Sequence, residues 1–278
     1  MSQIYSLLDT IFPFQWLSYE FMKNAFLAIL LITPIFGILG TIIVNNRMAF
    51  FSDALGHGAF TGIAIGSVIG ILQPIWSAVI FSIGFSVLIT LIKNKTKTST
   101  DTVIGVFSSA AIALGVILVY SGGNGKYTAV LVGDLLAVSP GEVGILLVLA
   151  IAIIILWILF YNKILLVSVN LSLAKSRGIN TIAVELAFTS IIAIVVTISI
   201  QWVGLLIINS LLVLPAAAAR NVSSNTRQYS ITAITVSIVS GIAGLIFSYY
   251  LDTATGATIV VVSSIIYFIT LGLRKRFV

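Results

Sequence analysis

Between its charged residues and turn-formers the chain is written in long apolar runs, and these limit its fold more than any other feature. They fall near residues 22–44, 50–71, 75–92, 102–119, 143–161, 182–200, 203–219, 230–249 and 256–273. Each is close to the roughly 18 to 25 residues that a helix needs to cross a bilayer. Inside hydrocarbon, backbone amides must be satisfied within the segment or in a closed barrel, and unbroken runs without period-two alternation select the helix. The predicted fold is all-α: a polytopic integral membrane protein with eight or nine transmembrane helices, forming a single transmembrane domain over residues 1–278.

Composition agrees. Of 278 residues, 59% are hydrophobic and 8% charged, where soluble domains carry about 25% charged residues. The absence of cysteine removes disulfides, thiolate metal sites and cysteine nucleophiles. A formal charge of +6 suggests nucleic acid in a soluble protein, but here the basic residues stand in short connections between spans, so nucleic-acid binding is set aside. The first twenty residues lack a basic leader followed by a small-residue cleavage site. They mix Phe12, Phe14, Trp16 and Tyr19 with Asp9 and Glu20, and read either as an interfacial helix over 1–20 or as a crossing.

Lysine and arginine set the expected orientation. Arg47, Lys93, Lys95, Lys97, Lys163, Lys175, Arg177, Arg220, Arg227, Arg274, Lys275 and Arg276 lie on one side of this layout, and only Lys23 and Lys126 lie opposite. The basic side is expected to be cytoplasmic, which places the C-terminus inside the cell.

Residues 162–181 form a cytoplasmic connection longer than a turn needs. Asn170 or Ser172 can cap a short helix carrying Lys175 and Arg177, and Gly178 can end it in a left-handed conformation. This helix reads either as a basic surface touching lipid headgroups or as a docking point for a cytoplasmic partner. On the other side, Gly125–Lys126 invites comparison with a phosphate loop. The pattern fails, because Tyr120 stands where the first glycine belongs and Tyr127 where Ser or Thr is required. Any ATP must therefore be hydrolysed by another chain. Ser139, Pro140 and Glu142 read as a capping box. Asp134 is open between a turn role and meeting an incoming cation, Pro215 is expected to break its helix, and Asp101 and Glu185 fall near helix starts that favour an acid.

One constellation carries chemistry. Asp53, His57 and Thr61 are spaced four apart, so they share a helical face within an otherwise apolar segment. A central aspartate costs about 2.5–3.5 kcal/mol on insertion scales and by default marks a pathway, relay or ligand site. Carboxylate and imidazole make half of a typical zinc or manganese site. Ala54, Gly58, Gly62, Gly66 and Gly70 form a small-residue stripe on the neighbouring face, suited to close helix packing. The competing reading is an Asp–His pair at a helix start, with Ser52 or Asp53 as N-cap, serving packing alone. Asn209 and Ser210 either line the pathway with Thr61 or hydrogen-bond between helices.

At these residues the sequence resembles the permease family of bacterial ABC importers for zinc, manganese and iron. The matching pieces are RMAFFSDALGHGAFTGIAIG (Arg47 to Gly66), LVGDLLAVSP (Leu131 to Pro140), LAKSRGI (Leu173 to Ile179) and VGLLIINSLLVLPAAAAR (Val203 to Arg220). The resemblance implies a non-enzymatic permease domain over the whole chain, paired with a second copy of itself. Its other partners would be two cytoplasmic ATP-binding subunits and an extracytoplasmic metal-binding solute-binding protein, all in a lipid membrane. It places metal coordination on Asp53 and His57. It places contact with the ATPase on a coupling helix formed by Leu173, Ala174, Lys175, Ser176, Arg177, Gly178 and Ile179. No cofactor is expected to be permanently bound: Zn2+ or Mn2+ is cargo, and ATP sits on the partner subunit. Gly56 and Gly58 flank His57 where many relatives have serine and alanine, which leaves metal preference open.

Three rivals stand beside this reading. A secondary cation transporter or channel would use Asp53 and His57 as a proton or ion relay. An intramembrane enzyme lacks any supporting serine, lysine, paired-aspartate or metalloprotease motif. An importer of metal chelates would need a wider passage.

Overall fold

In the computed structural model, residues 2–12, 14–71, 73–96, 98–122 and 133–274 are described. Lys97, Lys126, Lys275 and Arg276, used above for orientation, lie outside them, as do Gly125, Tyr127 and the Leu131–Val132 start of one motif. The described residues form eleven α-helices and no strand: α1 (Ser2–Ile11), α2 (Glu20–Asn45), α3 (Phe51–Ile69), α4 (Pro74–Lys95), α5 (Thr100–Gly122), α6 (Pro140–Val169), α7 (Leu171–Ser176), α8 (Thr181–Val203), α9 (Leu205–Val222), α10 (Thr226–Leu251) and α11 (Thr255–Leu273). Short 3-10 turns sit at Gln15–Ser18 and Leu135–Ala137.

Every expected span is a helix. Seven helices are long and apolar enough to cross a membrane: α2, α4, α5, α6, α8, α10 and α11. In α9 the apolar stretch is shorter, and in α3 Asp53, His57, the serines and the glycines dilute the hydropathy. Two expectations are corrected, at the end of α6 and at Pro215, and of the two readings of residues 1–20 the crossing is set aside. The α1 helix, with ten residues, rises only about 15 Å, too short to cross. Its Asp9 takes Lys23 at 2.7 Å, so a lysine buried at the start of α2 is neutralised by the segment before it. Helix α6 runs to Val169 rather than ending near 161, because ILLVSV continues the helix beyond Asn162 and Lys163. Pro215 does not break α9, which continues through it to Val222.

The chain divides into two compact units. One comprises Met1–Thr41, Asp134–Ile154 and Ser210–Val278. Within it, glycines bring backbones together: a Cβ on Gly40 would lie 2.0 Å from the Leu212 carbonyl oxygen, and one on Gly244 2.5 Å from Ile259 Cα. The capping box is formed, with Ser139 N–H donating to Glu142 Oε2 at 2.8 Å and Pro140 opening α6. Asp134 caps the adjoining 3-10 turn by accepting from Leu136 N–H at 3.0 Å.

The second unit comprises Ile42–Gly133 and Ile155–Asn209. Its centre is α3, packed against α4, α5 and α8. The small-residue stripe packs closely at Gly62, where a Cβ would lie 2.6 Å from Ala78 Cα on α4 and Ser77 Oγ donates to the carbonyl at 2.8 Å; Gly70 departs from it, ending α3 at a φ of +80° with nothing within 4 Å of the place a Cβ would take.

Candidate metal site on helix α3

The turn after α2 places Arg47 at a φ of +55°, and the Phe51 N–H then donates to the Met48 carbonyl at 3.0 Å. Helix α3 starts there, with Phe50 at the cap position and no side-chain cap bond. Neither Ser52 nor Asp53 is the N-cap. Ser52 Oγ instead donates to Asn209 Oδ1 at 2.6 Å, tying the first turn of α3 to α9. Asp53 occupies the first turn, where the helix dipole favours a carboxylate.

One turn on, His57 Nε2 lies 3.5 Å from Asp53 Oδ2. The His57 side chain is 18% exposed and that of Asp53 34%, so the carboxylate opens to its surroundings while the ring is mostly enclosed. His57 Nδ1 is buried and has no hydrogen-bond partner among the described residues. A neutral imidazole that turns its N–H toward Asp53 leaves a lone pair on Nδ1. A buried lone pair without a partner loses about 1–3 kcal/mol of solvation unless something occupies it. Among the described residues no third His, Cys, Asp or Glu joins the pair.

Thr61 is buried, and its hydroxyl donates to the His57 carbonyl of its own helix at 3.0 Å and to the Ala111 carbonyl of α5. Asn209 and Ser210 are half-buried on α9. The glycines beside His57 are explained by close neighbours: a Cβ on Gly56 would lie 1.8 Å from Leu205 Cδ1, and one on Gly58 2.9 Å from Phe85 Cδ1.

Helix α7 is capped as expected. Asn170 Oδ1 accepts from Leu173 N–H at 2.9 Å. At the other end Gly178 has a φ of +70°, and Ile179 N–H reaches back to the Ala174 carbonyl at 3.1 Å. Ala174 is buried beneath it, while Leu171, Leu173, Lys175, Ser176 and Arg177 are exposed.

Glu185 differs from its expected role. It lies beyond the first turn of α8 and accepts from Lys93 Nζ and, at 2.9 Å, from Asn94 Nδ2, both on α4. Sequence reading missed this pair because its members stand 92 residues apart; an acid and a lysine at the ends of two apolar helices were its only signal.

Comparison with known proteins agrees with this architecture. The chain is 32% identical over 260 residues to the high-affinity zinc uptake system membrane protein ZnuB of Buchnera aphidicola subsp. Baizongia pistaciae, covering 92% of this chain and 99% of that one. It is 30% identical to the manganese transport system membrane protein MntC of Listeria monocytogenes, covering 91% and 90%. The solved structure of PsaBC from Streptococcus pneumoniae in complex with Fab superposes with a TM-score of 0.80 at 25% identity, covering 97% and 95%. Residues 18–274 match the ABC 3 transport family, and the chain, a membrane permease built on α3 and its neighbours, belongs to that family.

Proposed function

We propose that this chain is the membrane-spanning permease subunit of an ATP-driven importer for divalent transition metal ions, zinc or manganese, with the whole chain acting as one permease domain in a bacterial cell membrane. The observation that carries the site is the α3 pair: a part-exposed Asp53 carboxylate beside an enclosed His57 whose Nδ1 lacks a partner. Both groups are ligands of first-row divalent metals. Two protein ligands per chain favour capture without permanent retention, and a second copy or water would complete the shell. Thr61 and Asn209 hold α3 in place while they border the path, with Ser210 beside them.

In this reading an extracytoplasmic binding protein delivers the ion, and the cytoplasmic subunits hydrolyse ATP. The α7 segment, with Leu171, Leu173, Lys175 and Arg177 presented outward, passes their movement on, so that access alternates between the two faces. The C-terminus is cytoplasmic. The names of the relatives support the class of cargo.

The test is uptake of zinc and manganese into liposomes holding this chain with its ATPase and binding protein. Uptake should require ATP, and Asp53→Ala and His57→Ala should each abolish it while the complex still assembles. Normal transport by both variants would place the passage elsewhere. Full transport by this chain without an ATPase would favour the secondary transporter.

A further inference from the structure

The Lys93–Glu185 pair is a strongly polar link in this unit that the proposed function leaves unused. Its two side chains are only 20% and 14% exposed, and each has a second partner. Glu185 also takes Asn94 Nδ2 at 2.9 Å, so both carboxylate oxygens are held by α4. Lys93 Nζ also lies 3.8 Å from Met48 Sδ. Met48 is buried in the turn whose carbonyl receives the first N–H of α3, five residues before Asp53. One turn deeper along the same α4–α8 contact, Thr90 and Thr189 share a hydrogen bond at 3.0 Å, both fully buried.

The pair also borders a cavity of about 180 Å³ whose lining includes Asn46, Val167, Phe188 and Leu171, the first residue of α7. Three groups therefore meet at one spot within one unit: the root of α7, the α8 carboxylate and the α4 lysine that touches the entrance of α3. A hydrogen-bonded ion pair resists bending apart far more than apolar contact does. The cavity beside it leaves room for the surrounding side chains to shift.

On the basis of the permease reading above, we propose that Lys93 and Glu185 are positioning residues that carry displacement of α7 through α8 and α4 to the Met48 turn, and so set the position of Asp53 and His57. They touch no cargo. Loss of the pair should uncouple ATP hydrolysis from transport rather than weaken metal capture.

The experiment measures, in the full complex with ATPase and binding protein, zinc or manganese uptake and ATP hydrolysis in the same vesicles. The variants are wild type, Glu185→Gln, Lys93→Met and the exchange Lys93→Glu with Glu185→Lys. Each single variant should retain at least half of the ATPase rate while the metal moved per ATP falls about ten-fold, and the exchange should recover most of that ratio. Uptake and hydrolysis falling in the same proportion, or an exchange that recovers nothing, would overturn the proposal. If Glu185→Gln does not assemble, Glu185→Asp takes its place, keeping the charge but retracting the carboxylate by one methylene. A ten-fold fall in metal moved per ATP then supports the proposal, and a proportional fall in both rates overturns it. Failure of the wild-type complex to move metal with ATP would overturn the permease reading instead.

Discussion

At the scale of single residues, Asp53 and His57 stand one turn apart on α3, with a carboxylate oxygen 3.5 Å from the imidazole. The sequence did not disclose that Ser52 turns away to Asn209, or that Thr61 divides its hydroxyl between two backbones. Both depend on which helix arrives alongside, and helical periodicity is silent about that. Asp53→Asn separates the ligand reading from the packing reading. The amide keeps the shape of the side chain and can still accept from His57, but it no longer offers a carboxylate. Uptake should fall at least about ten-fold, in line with losses seen when metal-site partners are removed, with little change in thermal stability. Normal uptake by this variant would reduce the pair to packing. Ser139→Ala should lower stability by about 1 kcal/mol through loss of the capping box. Thermal denaturation in detergent checks this, with uptake unchanged.

At the scale of helices, the stripe of small residues was legible as a close-packing face, and it is one at Gly58 and Gly62 but not at Gly70, which caps the helix. Gly62 abuts Ala78, whereas Gly84 on α4 has nothing within 4 Å of the place a Cβ would take. Gly62→Val should therefore force α3 and α4 apart and cost about 1–3 kcal/mol. Gly84→Ala should be neutral or stabilise by roughly 0.5–1 kcal/mol, since glycine inside a helix is unfavourable relative to alanine. Melting temperatures of the two purified variants decide the matter, and equal shifts would contradict this packing. Helix ends were less legible than helix faces. The cap at Asn170 and the left-handed Gly178 were readable because their side-chain chemistry is local. The end of α6 was not, because Lys163 can extend its charged tip toward water while the helix carries on beneath it.

At the scale of the whole molecule, a missing nucleotide motif was the most telling negative feature of the sequence. If ATP is hydrolysed by a partner subunit, as proposed, the chain reconstituted alone should neither hydrolyse ATP nor accumulate metal, and should do both with that partner. If Asp53 and His57 are the metal ligands, as proposed, and a second copy supplies the rest of the shell, the active complex holds two copies, which native mass spectrometry can count. A complex holding one copy would leave water to complete the shell instead.

Neither compact unit is continuous along the chain. Met1–Thr41 belongs with Asp134–Ile154 and Ser210–Val278, so helices made early find some of their partners only after most of the intervening chain has been made. With chain growth at about 5–20 residues per second, α2 spends on the order of ten seconds or more in the bilayer before α10 arrives to meet Gly37 and Thr41. During that wait its buried Lys23 already has Asp9 beside it. The N-terminal segment thus shields a nascent helix from its own charge, and its removal should be felt first in biogenesis, as lower yield of membrane-inserted protein.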